Sequence, residues 1–229
     1  DRFNIGTRSH AWSEDVQTIW NGIVGRIELI ATDSVYMDHI QVYPDVWQNT
    51  VRVQLELINL LRVPAAGSIC MKAVCGEQHG AQAEIPFSLD AGHKTVEVIL
   101  SLQQPAMLWD EISPSMYTLQ LALKAEGGGK QFCDSQSIAF GMRSFQARGG
   151  QFFINGRAVF LRGTHDAGNF PLTGYPSCSV ADWKRIYQIG KSYGLNHFRF
   201  HSFCPPEAAF AAADGAAVLW TWDRGLTLA

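Results

Sequence analysis

Val51, Val53, Leu55 and Leu57 alternate with Arg52, Gln54 and Glu56. That two-residue period constrains the fold more than any other feature. Successive side chains of an extended strand point to opposite faces, so one face of this segment belongs to a core and the other to water. MDHIQVYPDV, SICMKAVCGE, AQAEIPFSLD, KTVEVILSL and YTLQLALKA continue the run, with PAAG, DAG, QQPAMLWDEISPS and EGGGK between them. Short strands at regular spacing, with no helical stretch among them, predict a small two-sheet β-sandwich over 35–142. The Gly127-Gly128-Gly129 run is read as a turn within it, too short to link domains.

After Arg143 the period changes. GGQFFINGRAVFLRG predicts a hairpin around Asn155-Gly156, because Asn and Gly tolerate the positive φ of a tight primed turn. A loop, THDAGNFPLTGYPSCS, leads to a helix with Ser179 as cap, Asp182 three residues on, and an apolar stripe of Trp183, Ile186, Tyr187 and Ile189 to Gly190. That helix gives way at Tyr193-Gly194. LNHFRFHS reads as a strand, and Pro205-Pro206 opens a second helix ahead of a final strand. This strand, helix, strand, helix, strand order implies a parallel sheet. It supplies about two βα units, against eight in a closed barrel of about 250 residues. Residues 1–34 hold GIVGRIELIA, read as one short strand after a loop. One strand is no domain, so 1–34 is expected to finish a β-domain begun upstream.

Composition excludes several classes of function. Of 229 residues, 47% are hydrophobic and 17% charged, below the roughly 25% charged typical of soluble chains, as suits surfaces that face other domains. Net charge is −3 with no Lys/Arg block, so no nucleic-acid partner is expected. No run approaches the roughly 20 apolar residues of a membrane span. Five scattered cysteines contain no C-x-x-C pair, which argues against a zinc or iron–sulfur site. Cys75 and Cys133 are a candidate pair across facing strands, with free buried cysteine the favoured reading. The opening DRFNIGTRSH carries neither an initiator Met nor an apolar signal.

Four motifs in this order resemble glycoside hydrolase family 2. WNGIVGRIEL (20–29) is similar to the end of the family's jelly-roll sugar-binding domain, and LWDEISPSMYTLQLAL (108–123) to the late part of its immunoglobulin-like domain. FGMRSFQARGGQFFINGRAVFLRGTH (140–165) resembles the segment leading into the first barrel strand, and GLNHFRFHSFCPPEAAFAAAD (194–214) the second barrel strand and the loop after it. The resemblance implies a multidomain chain. In it, 1–34 ends a jelly roll, 35–142 is an all-β immunoglobulin-like sandwich, and 143–229 is the truncated N-terminal part of a TIM (β/α)8 barrel. It implies a parent that hydrolyses a terminal β-linked sugar from an oligosaccharide or glycoconjugate with retention. The missing domains of the same polypeptide are expected partners, and the resemblance is compatible with a homo-oligomer and with a periplasmic or secreted location, the location itself being left open. No cofactor and no metal are implied. The alternative is a non-catalytic carbohydrate-binding or adhesion module.

A retaining glycosidase needs two carboxyl groups about 5 to 5.5 Å apart. The family's two glutamates have no counterpart here, and DGAAVLWTWDRGLTLA stands where most members continue Asp-Glu-x-Gly, so this piece alone is expected to be inactive. Asp166, Asp182, Glu207, Asp214 and Asp223 match no catalytic position. Arg199 resembles the arginine that orients the nucleophile, with Phe198 and Phe200 on the opposite strand face. His201, on the Arg199 face, is a candidate for a sugar hydroxyl. Asp166 and Asn169, with His165 in the loop after the first barrel strand, are candidates for substrate contact. Trp12, Trp20 and Trp109 could stack on a sugar ring, although Trp109 matches a packing position.

Overall fold

The computed structural model describes Trp20 and residues 22–76, 78–201 and 203–222; Trp12 and Asp223 lie outside them. The chain forms two compact units. One holds residues 29–110 and 115–158, and the other the described parts of 1–28, 111–114 and 159–229.

The first unit is built of antiparallel strands. Its seven long ones are β1 (Val35–Asp45), β2 (Thr50–Asn59), β3 (Ala65–Cys75), β4 (Gln78–Leu89), β5 (Gly92–Ser101), β6 (Met116–Gly127) and β7 (Lys130–Gly141). They form two sheets, ordered β1-β2-β5 and β4-β3-β6-β7. The alternation read from β2 is realised residue by residue: Val51, Val53, Leu55 and Leu57 are fully buried, and they share one core with Ile69, Met71, Leu119 and Leu121. The glycine run closes β6 onto β7, with Gly128 and Gly129 at φ of 58° and 73°, as a primed turn demands. A small sheet ordered β10-β9-β8 follows, from β8 (Phe145–Arg148), β9 (Gln151–Ile154) and β10 (Arg157–Val159). Its turn falls at the expected place, with Asn155 at φ 50° and Gly156 at 82°. The Asn155 side chain accepts from Ser144 N at 2.9 Å and donates to Trp109 O at 3.0 Å. That ties the hairpin to the segment before β6. The hairpin thus belongs to the same compact unit as the two long sheets.

The second unit holds the parallel strands β11 (Gly163–Asp166), β12 (His197–Phe200) and β13 (Leu219–Trp222), in that order, with helices α1 (Val180–Ser192) and α2 (Glu207–Ala216) between them. Ser179 caps α1, its Oγ accepting from Asp182 N at 3.4 Å, and Trp183, Tyr187 and Gly190 form the buried stripe. Gly190 is small for a reason. A Cβ there would stand 2.7 Å from the Phe198 ring, so the glycine lets the helix backbone approach the strand. Helix α2 buries Ala208, Ala209, Ala212, Ala213 and Ala216, the i, i+4 recurrence of one helical face. Buried Asn196 fixes the start of the sheet: its amide donates to Phe160 O, and its Oδ1 accepts from Arg162 N.

Two expectations change. Residues 22–33 hold no strand, and Ile23, Ile27 and Leu29 are exposed. Gly22 and Gly25 both take positive φ, and without a ladder partner an extended segment leaves its backbone groups to water. The first parallel strand begins later than the pattern suggests, at Gly163, so His165 and Asp166 lie within β11 and not in the loop after it. The favoured reading of the cysteines holds: all five are free thiols, with Cys75 buried and Cys133 exposed.

Candidate functional site

The parallel register sets the site. His165 of β11 stands beside Arg199 of β12, and Arg199 beside Thr221 of β13, so these three share one face of the sheet near its carboxyl end. Parallel α/β sheets bind ligands outside the carboxyl ends of their strands. The chain continues past β12 with His201, whose N–H donates to Asp166 O at 2.8 Å. Its ring lies 4.9 Å from that of His165, centroid to centroid. One strand position earlier, the His197 imidazole is buried and its Nε2 is 3.1 Å from Thr221 Oγ1. Burial first, and then the Arg199 charge, push the His197 pKa below the ordinary histidine value.

The opposite face packs on the helices. Phe198 meets Tyr187 edge-on at 4.8 Å, and Phe200 meets Trp183 at 5.8 Å. Phe198 and Phe200 thus turn away from Arg199, as strand alternation requires. Asp166 pairs in register with Phe200, so the same alternation gives it the Phe200 side and not the Arg199 side. Its carboxylate accepts from Gly168 N at 2.9 Å. Burial raises its pKa, against the opposing pull of that N–H and of His165. The Tyr187 hydroxyl behind the sheet is fully buried with no hydrogen-bond partner among the described residues. Burial, and after it the charges of Asp166 and Asp214, hold its phenol well above the usual range.

The structure therefore brings Arg199 and His201 to one face with His165 and Thr221, and sets Asp166 apart. Asn169 lies exposed in the loop after Gly168. The other acids are elsewhere. Asp182 accepts from Ser177 Oγ at 2.6 Å at the start of α1, Glu207 is 3.7 Å from Arg26 at the start of α2, and Asp214 is within α2. Trp109 is buried under the Arg143 guanidinium at 4.7 Å. Trp20 meets Phe170 and Phe203 edge-on. A face with one guanidinium, three imidazoles and a hydroxyl can bind hydroxyl-rich or anionic groups. Among the described strand positions of that face there is no Asp or Glu. No cluster of three or more His, Cys, Asp or Glu among the described residues suits a metal. A hollow of ≈ 540 Å³ lies over Ser68, Lys124 and Glu126 on the β3-β6-β7 sheet, but it meets no parallel strand end, so the site is placed on β11–β13. His197 and Thr221 were missing from the sequence reading; their period-two spacing with Arg199 and Leu219 is the one signal that pointed to them.

No family model matches the chain. A provisional β-glucuronidase of Formosa agariphila is 31% identical over 118 residues, covering 51% of this chain and 14% of that protein. A β-galactosidase of Priestia megaterium is 27% identical over 198 residues, 82% of this chain and 19% of the relative. The chain thus spans about a fifth or less of the length of these curated relatives. A solved glycosyl hydrolase family 2 structure from Bacteroides cellulosilyticus superposes with a TM-score of 0.69 at 22% identity, over 82% of this chain and 25% of that one. In sequence and in its mostly β fold, the chain sides with the glycoside hydrolases. The solved structures it resembles in fold include members of glycoside hydrolase family 2, each matched over part of its length.

Proposed function

We propose that the chain is part of a retaining β-glycosidase that removes a terminal sugar from an oligosaccharide or glycoconjugate. In this reading the unit built on β1–β7 is the immunoglobulin-like domain, residues 1–34 end a jelly roll, and β11-α1-β12-α2-β13 begins a TIM barrel. The observation that carries it is the parallel β11-β12-β13 sheet with His165, Arg199 and His201 gathered at its carboxyl end, the end at which barrel enzymes build their sites. The names of relatives, β-galactosidase and β-glucuronidase, supply the reaction class. Arg199 orients the nucleophilic carboxylate, since a guanidinium needs a carboxylate partner when it leaves water. His201 meets sugar hydroxyls, and Asn169 contacts substrate from its loop. Asp166 supports that loop through Gly168 N. The acid and the nucleophile come from other parts of the polypeptide.

The test is turnover of nitrophenyl β-galactoside, β-glucuronide and β-mannoside by the 229-residue chain and by the whole protein from its source. The whole protein should cleave at least one, and the chain none. Turnover by the chain would refute the assignment of the acid and nucleophile elsewhere. A whole protein inert on all three that binds glycans would favour the binding-module alternative.

A further inference from the structure

The His197–Thr221 contact lies directly below Arg199, and its geometry says more than that two strands are joined. Gly163, the β11 neighbour of His197, leaves room for the ring: a Cβ at that position would stand 2.5 Å from His197 Nδ1. The imidazole is therefore wedged between β11 and β13, with Nε2 at 3.1 Å from Thr221 Oγ1. Thr221 is in turn the β13 neighbour of Arg199 in register. A threonine hydroxyl has one hydrogen and two lone pairs, whereas a guanidinium has donors only. If Nε2 donates, one Thr221 lone pair is spent on the ring, and the hydroxyl hydrogen, no longer taken by the imidazole, competes with the single remaining lone pair for the Arg199 side. If Nε2 accepts, the hydroxyl hydrogen is used on the imidazole and the lone pairs are free for the cation.

We propose that His197 is a positioning residue for Arg199: its Nε2 accepts the Thr221 hydroxyl hydrogen and so turns the Thr221 lone pairs toward the guanidinium. Nδ1 then carries the imidazole proton. The charged groups around the ring agree with this state. Arg199 on the same strand face is the cation beside it, Gly163 and Thr221 bring no charge from β11 and β13, and α1 and α2 pack on the other face. A second positive charge on His197 would be disfavoured by burial and by Arg199 alike. The role of Arg199 toward a carboxylate rests on the glycosidase reading, but the hydrogen-bond relay does not.

The experiment is long-range ¹H–¹⁵N spectroscopy of the full chain near neutral pH, which reads ring tautomers and the Arg199 Nε–H without any turnover. Its failure is therefore distinct from failure of the glycosidase assay. The expected spectrum has an unprotonated Nε2 and a protonated Nδ1 at His197. His197→Leu should shift the Arg199 Nε–H signal, and His197→Gln, with a carbonyl acceptor, should bring it back toward the wild-type position. Thr221→Val should reproduce the shift and Thr221→Ser should not, which keeps the test alive should His197→Leu fail to fold. A proton on Nε2, or an Arg199 signal unmoved by both His197→Leu and Thr221→Val, would overturn the proposal.

Discussion

At the scale of single residues, Asp166 is the group whose position has the clearest thermodynamic consequence. Burial lifts its folded-state pKa, so the folded chain holds its proton more tightly than the unfolded one. The stability linked to this group is fully present below the unfolded carboxylate pKa and is lost as pH rises through the folded value. At pH 7 the carboxylate charge works against the fold. Asp166→Asn, whose Oδ1 can still accept from Gly168 N, should raise the Tm at pH 7, and the gain should fade as the pH is lowered toward 4. Melts followed by circular dichroism across that range would check it, and a variant less stable at pH 7 would contradict the burial argument. Arg199 was legible in the sequence because Phe198 and Phe200 bracket it with the alternation of a strand. The His197–Thr221 bond was not, because it joins residues 24 positions apart through a parallel register that no local pattern encodes. Asp166 was read as a loop residue because nothing in GTHD has the β-branched or apolar alternation of a strand; its neighbours in β12 impose the extended conformation.

At the scale of elements, turn chemistry and capping were read well wherever the residue itself carries the reason. Asn155 is such a case, because the hairpin needs its left-handed φ. Its side chain adds what the sequence could not display, the bonds to Ser144 N and Trp109 O. Asn155→Ala should therefore cost about 2 to 3 kcal/mol, from two hydrogen bonds at about 1 kcal/mol each and about 1 kcal/mol of left-handed strain. Asn155→Gly keeps the φ and should lose only the hydrogen-bond part. Urea unfolding of the three proteins separates the contributions, and two variants as stable as the wild type would show that the tether is idle. The segment GIVGRIEL shows the converse. Its alternation satisfies a strand template, but a strand exists only with a ladder partner, and Ile27 and Leu29 have no apolar surface to meet in the described chain. Strand β7 was not among the strands read from the sequence, since Asp134 and Gln136 fall on the inward positions that Phe132, Ile138 and Phe140 otherwise mark. Pairing with β6 along its length holds it.

At the scale of the whole molecule, the two units differ in how completely their strands are covered. In the first, β3 is flanked by β4 and β6, and β6 by β3 and β7, while Ile69, Met71 and Leu119 are sealed in a core shared with β2. In the second, β11 and β13 each pair along one side among the described residues. Helices cover one face, and the face of His165 and Arg199 stays exposed. Parallel sheets are ordinarily covered on both faces, so this unit has fewer apolar contacts per strand to resist opening. Local opening follows buried apolar contact and exposure of ladder hydrogen bonds. Native-state hydrogen exchange of the chain should accordingly find the amides of β3 and β6 slowest, and those of β11 and β13 faster by on the order of 100-fold or more. Within the second unit, β12 should be the slowest strand, because both its sides are paired and Phe198 and Phe200 are locked against α1. Equal protection of β11, β13 and β3 would mean that the parallel sheet is stable as it stands. Fast exchange in β11 and β13, with β12 protected, would locate its weakness at the two strand edges and not in the core beneath them.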